Sequence, residues 1–166
     1  MSTTALALKE EGNSYFKRGE YVVAIAKYEN AIGTLDIYRA ESAAAASQLH
    51  LVLLTNRLHA YNKSGSGNDQ AHTDLLDFLR NHDNNDWTQS FGHRKLCKAY
   101  FHLSQYYESQ DNPGQASDMI RTCLYLVPDD KDVLAAYDRL EHAAMKELAR
   151  LGVYRDGTAA SLLIQG

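Results

Sequence analysis

Apolar residues recur along this chain at helical spacing, and no stretch alternates apolar with polar residues for a useful length. The clearest case is Asp132 to Leu148. There Val133, Leu134, Tyr137, Leu140, Ala144 and Leu148 fall on one face, which predicts a long amphipathic helix. Leu53 to Lys63 reads as a second helix, closed by the turn Gly65-Ser66-Gly67-Asn68-Asp69. Glu41 to Gln48, with four consecutive alanines, has strong helix propensity and no breaker. The run from about Asn84 to Lys95 is polar, contains Gly92, and is expected to form a loop leading into the next helix.

A repeat underlies these elements. Counting from Ala5, small residues stand at positions 8, 20 and 27 (Gly12, Ala24, Ala31), with tyrosines at 11, 17 and 24 (Tyr15, Tyr21, Tyr28). That pattern resembles the tetratricopeptide repeat, a unit of about 34 residues folded as two antiparallel helices and often closed by a proline. Leu126-Val127-Pro128-Asp129-Asp130 resembles the close of such a unit, which then begins at Cys97. In it Ala116 and Cys123 take the small positions, while Ser104 replaces the glycine and Pro113 the aromatic at position 17. A looser middle unit starts at Leu51.

The resemblance implies an all-α fold, a right-handed superhelical solenoid of three helix pairs over about 5–38, 51–84 and 97–130. A capping helix over 131–150 and a C-terminal tail over 151–166 complete it. The starts are 46 residues apart, so about 12 residues are inserted twice, near 39–50 and 85–96. Lengthened helices on either side of a turn are expected to absorb the first insertion, and the polar loop the second.

Composition narrows the function classes. At 166 residues, 45% hydrophobic and two prolines, the chain suits one sizeable core. No apolar run nears the ~18 residues of a membrane span, and the N-terminus lacks a basic-then-apolar leader, so a cytoplasmic protein is expected. The formal charge of -4, with His93-Arg94-Lys95 as the one short basic cluster, argues against nucleic acid. Seven histidines and two cysteines show no zinc spacing, so no metal or cofactor is expected, and Cys97 and Cys123 are read as packing residues. Without a phosphate loop or an activated nucleophile, an enzyme is not expected.

Candidate chemistry lies on the first helix of each unit, which in this architecture lines the concave surface. Lys9 and Asn13 are one turn apart, and the repeat register brings Asn56, Lys98 and His102 to the same groove. Here the resemblance becomes specific. The carboxylate-clamp domains of chaperone adaptors use Lys and Asn from the first unit, Asn from the second, and Lys and Arg from the third to bind the C-terminal Glu-Glu-Val-Asp of the 70 and 90 kDa heat-shock chaperones. Lys9, Asn13, Asn56 and Lys98 match that pattern by position and type, and His102 stands where the arginine is usual. Phe16, His59, Asn62 and Lys63 are secondary groove candidates.

The residue types suit the task. Ammonium groups give a carboxylate charge-assisted hydrogen bonds worth about 1.5–3 kcal/mol each, and asparagine amides add donors without repulsion. A protonated His102 would make affinity rise as pH falls from about 8 to 6. The alternative is an assembly scaffold that binds another fold, or a second copy of itself, through helix faces.

Overall fold

The computed structural model describes residues 3–35, 43–66, 68–81 and 91–152. Its described residues form seven helices: α1 (Thr3–Lys17), α2 (Tyr21–Gly33), α3 (Ala43–Ser64), α4 (Asp69–Asn81), α5 (His93–Ser109), α6 (Pro113–Leu126) and α7 (Lys131–Arg150). Packing follows chain order: α1 on α2, α2 on α3, α5 on α6 and α6 on α7. The central α3 meets both α4 and α5. The result is an all-α solenoid of three antiparallel pairs closed by α7.

Local chemistry sets the turns within each pair. After α1, Gly19 takes φ +79°, a left-handed conformation that glycine adopts without strain. Its N–H donates to Phe16 O and the N–H of Glu20 to Tyr15 O, both at 3.0 Å, which satisfies two carbonyls the helix end would leave bare. The turn after α5 repeats this bonding with Asp111 at φ 54° and Asn112 donating to Tyr107 O. Asn112 then caps α6, its side chain accepting from Gln115 N, and Pro113 occupies the first helical position, where its missing N–H costs nothing. Pro113 can therefore replace an aromatic at position 17: that position opens the second helix, as Tyr21 opens α2. Asp130 caps α7 by accepting from the N–H groups of Asp132 and Val133.

The small residues of the repeat are helix–helix contacts. A Cβ on Gly12 would lie 2.5 Å from Tyr28 Cε1, so α1 and α2 approach this closely only with glycine there. In the third pair Ser104 takes the glycine's place and Ile120 the tyrosine's, a larger residue facing a smaller one, and both are buried. Two apolar cores result. One joins α1 and α2 to α3 through Ala5, Ala24, Tyr28, Leu49 and Leu53. The larger runs from α3 to α7 through Leu58, Leu75, Leu96, Leu103, Ile120 and Leu140. Ile32 and Tyr61 pack against both.

Two expectations about the insertions need correcting. The first insertion lengthens α3 alone among the described residues: α3 begins at Ala43, whereas α2 ends at Gly33, where Thr34 closes it by bonding back to Asn30 and Ala31. The extra turns persist because Ala46 and Leu49 are buried. The expected loop through Lys95 is shorter at its C-terminal end. Gly92, at φ 80°, precedes a helix that starts at His93, pulled in by the buried Leu96 and Cys97. Residues 82–90 of that stretch, 36–42 of the first insertion and 153–166 of the tail lie outside the described residues.

Polar ties lock neighbouring helices. Arg57 donates to Asp74 at 2.6 Å between α3 and α4, and this partner holds the Asp74 carboxyl below its usual range despite partial burial. Tyr106 donates to Asp69 at 2.6 Å between α5 and α4. Ser117 and Arg121 of α6 both bond Glu141 of α7.

Candidate functional site

The first helices of the three pairs, α1, α3 and α5, present their residues to one cleft of about 400 Å³. Lys9, Asn13, Phe16, Asn56, His59 and Lys98 all line it. Lys9 and Asn13 are one turn apart on α1; Asn56 reaches in from α3 and Lys98 from α5.

The polar members form a continuous chain. Lys98 Nζ donates to Asn56 Oδ1 (3.3 Å), and Asn56 Nδ2 donates to Asn13 Oδ1 (3.2 Å). The same Asn13 oxygen accepts from the Tyr28 hydroxyl at 2.9 Å. With two donors on its oxygen, the Asn13 amide is fixed in one sense, its NH₂ group turned away from them. That NH₂ donates to Glu10 Oε2 at 3.2 Å, and Lys9 Nζ lies 2.8 Å from Glu10 Oε1. Tyr28 is buried, and burial above all, with the nearby Glu10 charge, raises its phenol to about 12, so it stays a donor at any ordinary pH. Partial burial lowers the Lys98 pKa from its usual value.

The aromatic wall of the groove is a stack. Phe16 packs on His59 with ring centroids 4.5 Å apart, and His59 lies face to face with His102 at 4.0 Å. His102 lines an adjoining cleft of about 430 Å³ that shares His59 and Lys98 with the first. It is only 5% exposed. Burial, and then the neighbouring His59, push its pKa to about 3; burial with Lys98 and Lys63 takes His59 to about 4. In the free protein the ring is therefore neutral between pH 8 and 6, and burial opposes the protonation expected of His102 against a ligand carboxylate. Its Nδ1 lies 2.9 Å from Gln105 Oε1, an oxygen that can only accept, so Nδ1 carries the proton and Nε2 is left as an acceptor. An arginine in this place would offer donors instead.

Asn62 and Lys63 line neither cleft. Asn62 Nδ2 donates to the backbone carbonyl of His102 at 2.9 Å and ties α3 to α5. Lys63, exposed at the end of α3, acts on the site through its charge on the two histidines. Tyr28, which lines the cleft, and Glu10, which bonds Lys9 and Asn13 without lining it, escape sequence reasoning. Tyr28 reads there as a packing residue of the repeat, and Glu10 as part of a solvated helix face.

Among the described residues no group of three or more His, Cys, Asp or Glu side chains could hold a metal, and no helix is long and apolar enough to cross a membrane. Cys97 and Cys123 are free thiols, both buried. Cys123 Sγ donates to the carbonyl of Cys97 at 3.3 Å across the α5–α6 contact.

No family model matches the chain. Solved structures share its fold. The first tetratricopeptide domain of Spaghetti (RPAP3), determined with the HSP90 peptide SRMEEVD, superposes with a TM-score of 0.64 at 23% identity, over 87% of this chain and 96% of that one. The first such domain of human RPAP3 gives 0.62 at 24% identity, over 86% and 94%. The C-terminal repeat domain of a Plasmodium falciparum protein described as FK506-binding gives 0.60 at 19% identity, over 89% and 91%. The protein has the fold of a tetratricopeptide-repeat domain.

Proposed function

We propose that this domain is a peptide-binding adaptor of the carboxylate-clamp type. Its groove would hold the acidic C-terminal tail of heat-shock chaperones of the 90 or 70 kDa class, with Lys9, Asn13, Asn56 and Lys98 as the carboxylate-binding residues. The observation that carries this reading is the chain of hydrogen bonds from Lys98 through Asn56 to Asn13, which points ammonium and amide donors into one open cleft. Such a surface recognises a carboxylate, and the NH₂ group of Asn13 already donates to one, that of Glu10. The peptide on the RPAP3 domain of the same fold supports the ligand class. Phe16 and His59 offer apolar faces to residues upstream of the terminus.

The role is binding without catalysis, and its partner class implies a cytoplasmic setting. The scaffold alternative would be favoured by a continuous apolar stripe on α7. Leu134 and Met145 are exposed there, but Asp138, also exposed, interrupts their face.

Calorimetry decides the matter. A peptide ending in Glu-Glu-Val-Asp is expected to bind, and the same peptide amidated at its C-terminus to lose most of its affinity. Equal affinities for the two forms would reject the clamp.

A further inference from the structure

Glu10 stands directly after Lys9 and one turn before Asn13, and its carboxylate engages both: Oε1 lies 2.8 Å from Lys9 Nζ, and Oε2 accepts from Asn13 Nδ2 at 3.2 Å. These are two of the donors assigned above to the ligand. The Glu10 side chain is 66% exposed, so it can swing into water without disturbing the fold. Lys98, at the other end of the hydrogen-bonded chain, has no ion pair with any described residue.

Resting on the clamp reading, we propose that Glu10 is a built-in competitor, a carboxylate that occupies Lys9 and Asn13 until a ligand displaces it. A peptide whose last residue brings only its α-carboxylate exchanges one carboxylate for another at that end and gains little. A terminal aspartate brings two. One displaces Glu10, and the other reaches the unpaired ammonium of Lys98. Glu10 thus raises the threshold for every C-terminus by the same factor, so that tight binding needs the second carboxylate that reaches Lys98. The carboxyl of Glu10 is held below its usual range by its bonds to Lys9 and then Asn13, so the competitor is ionised at neutral pH.

Glu11 supplies the control. It carries the same charge one residue on, but it pairs with Lys27 at 2.6 Å rather than with Lys9 or Asn13. Calorimetry would compare the native protein, Glu10→Gln and Glu11→Gln against peptides ending in Glu-Glu-Val-Asp and Glu-Glu-Val-Asn. Exposed ion pairs alter equilibria by up to about fivefold. Glu10→Gln is therefore expected to tighten both peptides about three- to fivefold, leaving the ratio between them unchanged. Glu11→Gln should shift both equally and by less than twofold.

No gain in Glu10→Gln, a matching gain in Glu11→Gln, or a loss of affinity would overturn the proposal. A second readout needs no ligand. In the free protein the side-chain NH₂ resonances of Asn13 should move as Glu10 titrates, and should stay still over that range in Glu10→Gln; resonances already immobile in the native protein would overturn the contact. If the acid and amidated peptides bind the native protein equally, the clamp reading falls and the competitor role with it. A normal gap between those two peptides, with no effect of Glu10→Gln, removes the Glu10 inference alone.

Discussion

Asn13 can serve a ligand because Tyr28 and Asn56 hold its oxygen. A free asparagine presents oxygen or nitrogen with similar ease, and an oxygen turned toward a carboxylate would repel it. Removing the Tyr28 hydroxyl frees that choice while leaving the buried ring that packs against Gly12 in place. Tyr28→Phe is therefore expected to weaken a Glu-Glu-Val-Asp peptide about three- to tenfold, the range of one hydrogen bond, with unchanged circular dichroism. Lys98→Ala should cost about tenfold or more, since it removes a charged donor outright. Calorimetry on both variants checks the ranking, and a Tyr28→Phe protein that binds like the native one would dismiss the orienting role.

At the scale of elements, the α1–α2 pair depends on a missing side chain. A methyl group at Gly12 meets the Tyr28 ring at 2.5 Å, and that ring is buried and held by its hydroxyl, so the helices must separate or the ring must leave its rotamer. Gly12→Ala is expected to destabilise the domain by about 1–3 kcal/mol, the usual cost of overpacking, even though alanine is the better helix former. Urea unfolding measures it directly. A gain in stability would mean that the pair relaxes without cost. Pairing Gly12→Ala with Tyr28→Leu should recover part of the loss, because the third pair already combines Ser104 with Ile120 at these positions.

The whole molecule carries a titrating seam where α3 meets α5. His59 and His102 stack there in neutral form, with pKa values near 4 and 3 against an ordinary value near 6.5. Below pH 6.5 the unfolded chain takes up protons that the folded seam refuses. Their contribution to stability is therefore complete above that pH and is lost as pH falls toward about 4. The urea midpoint is expected to drop between pH 7.5 and pH 5, before most carboxylates titrate. His72, also depressed by burial, adds to the drop with the same sign, so replacing both His59 and His102 by glutamine should flatten the profile without levelling it. Peptide affinity, in contrast, should show no His102-dependent change between pH 8 and 6.

The repeat itself is written locally. Helical periodicity, the small residues at 12, 24 and 31 and the stop at Pro128 depend on near neighbours in the chain, so they fix the helix pairs, and with them the register that brings Lys9, Asn13, Asn56 and Lys98 to one cleft. The charge of His102 was not legible in this way. An imidazole's protonation follows from how deeply it is buried and what stacks on it, and here the partner, His59, is 43 positions away on another helix. The orientation of Asn13, set from α2 and α3, and the role of Asn62 as a tie between α3 and α5 were hidden for the same reason. Periodicity determined which helices form and which face each residue takes; burial and hydrogen-bond partners, supplied by segments distant in sequence, decided what each side chain on that face can do.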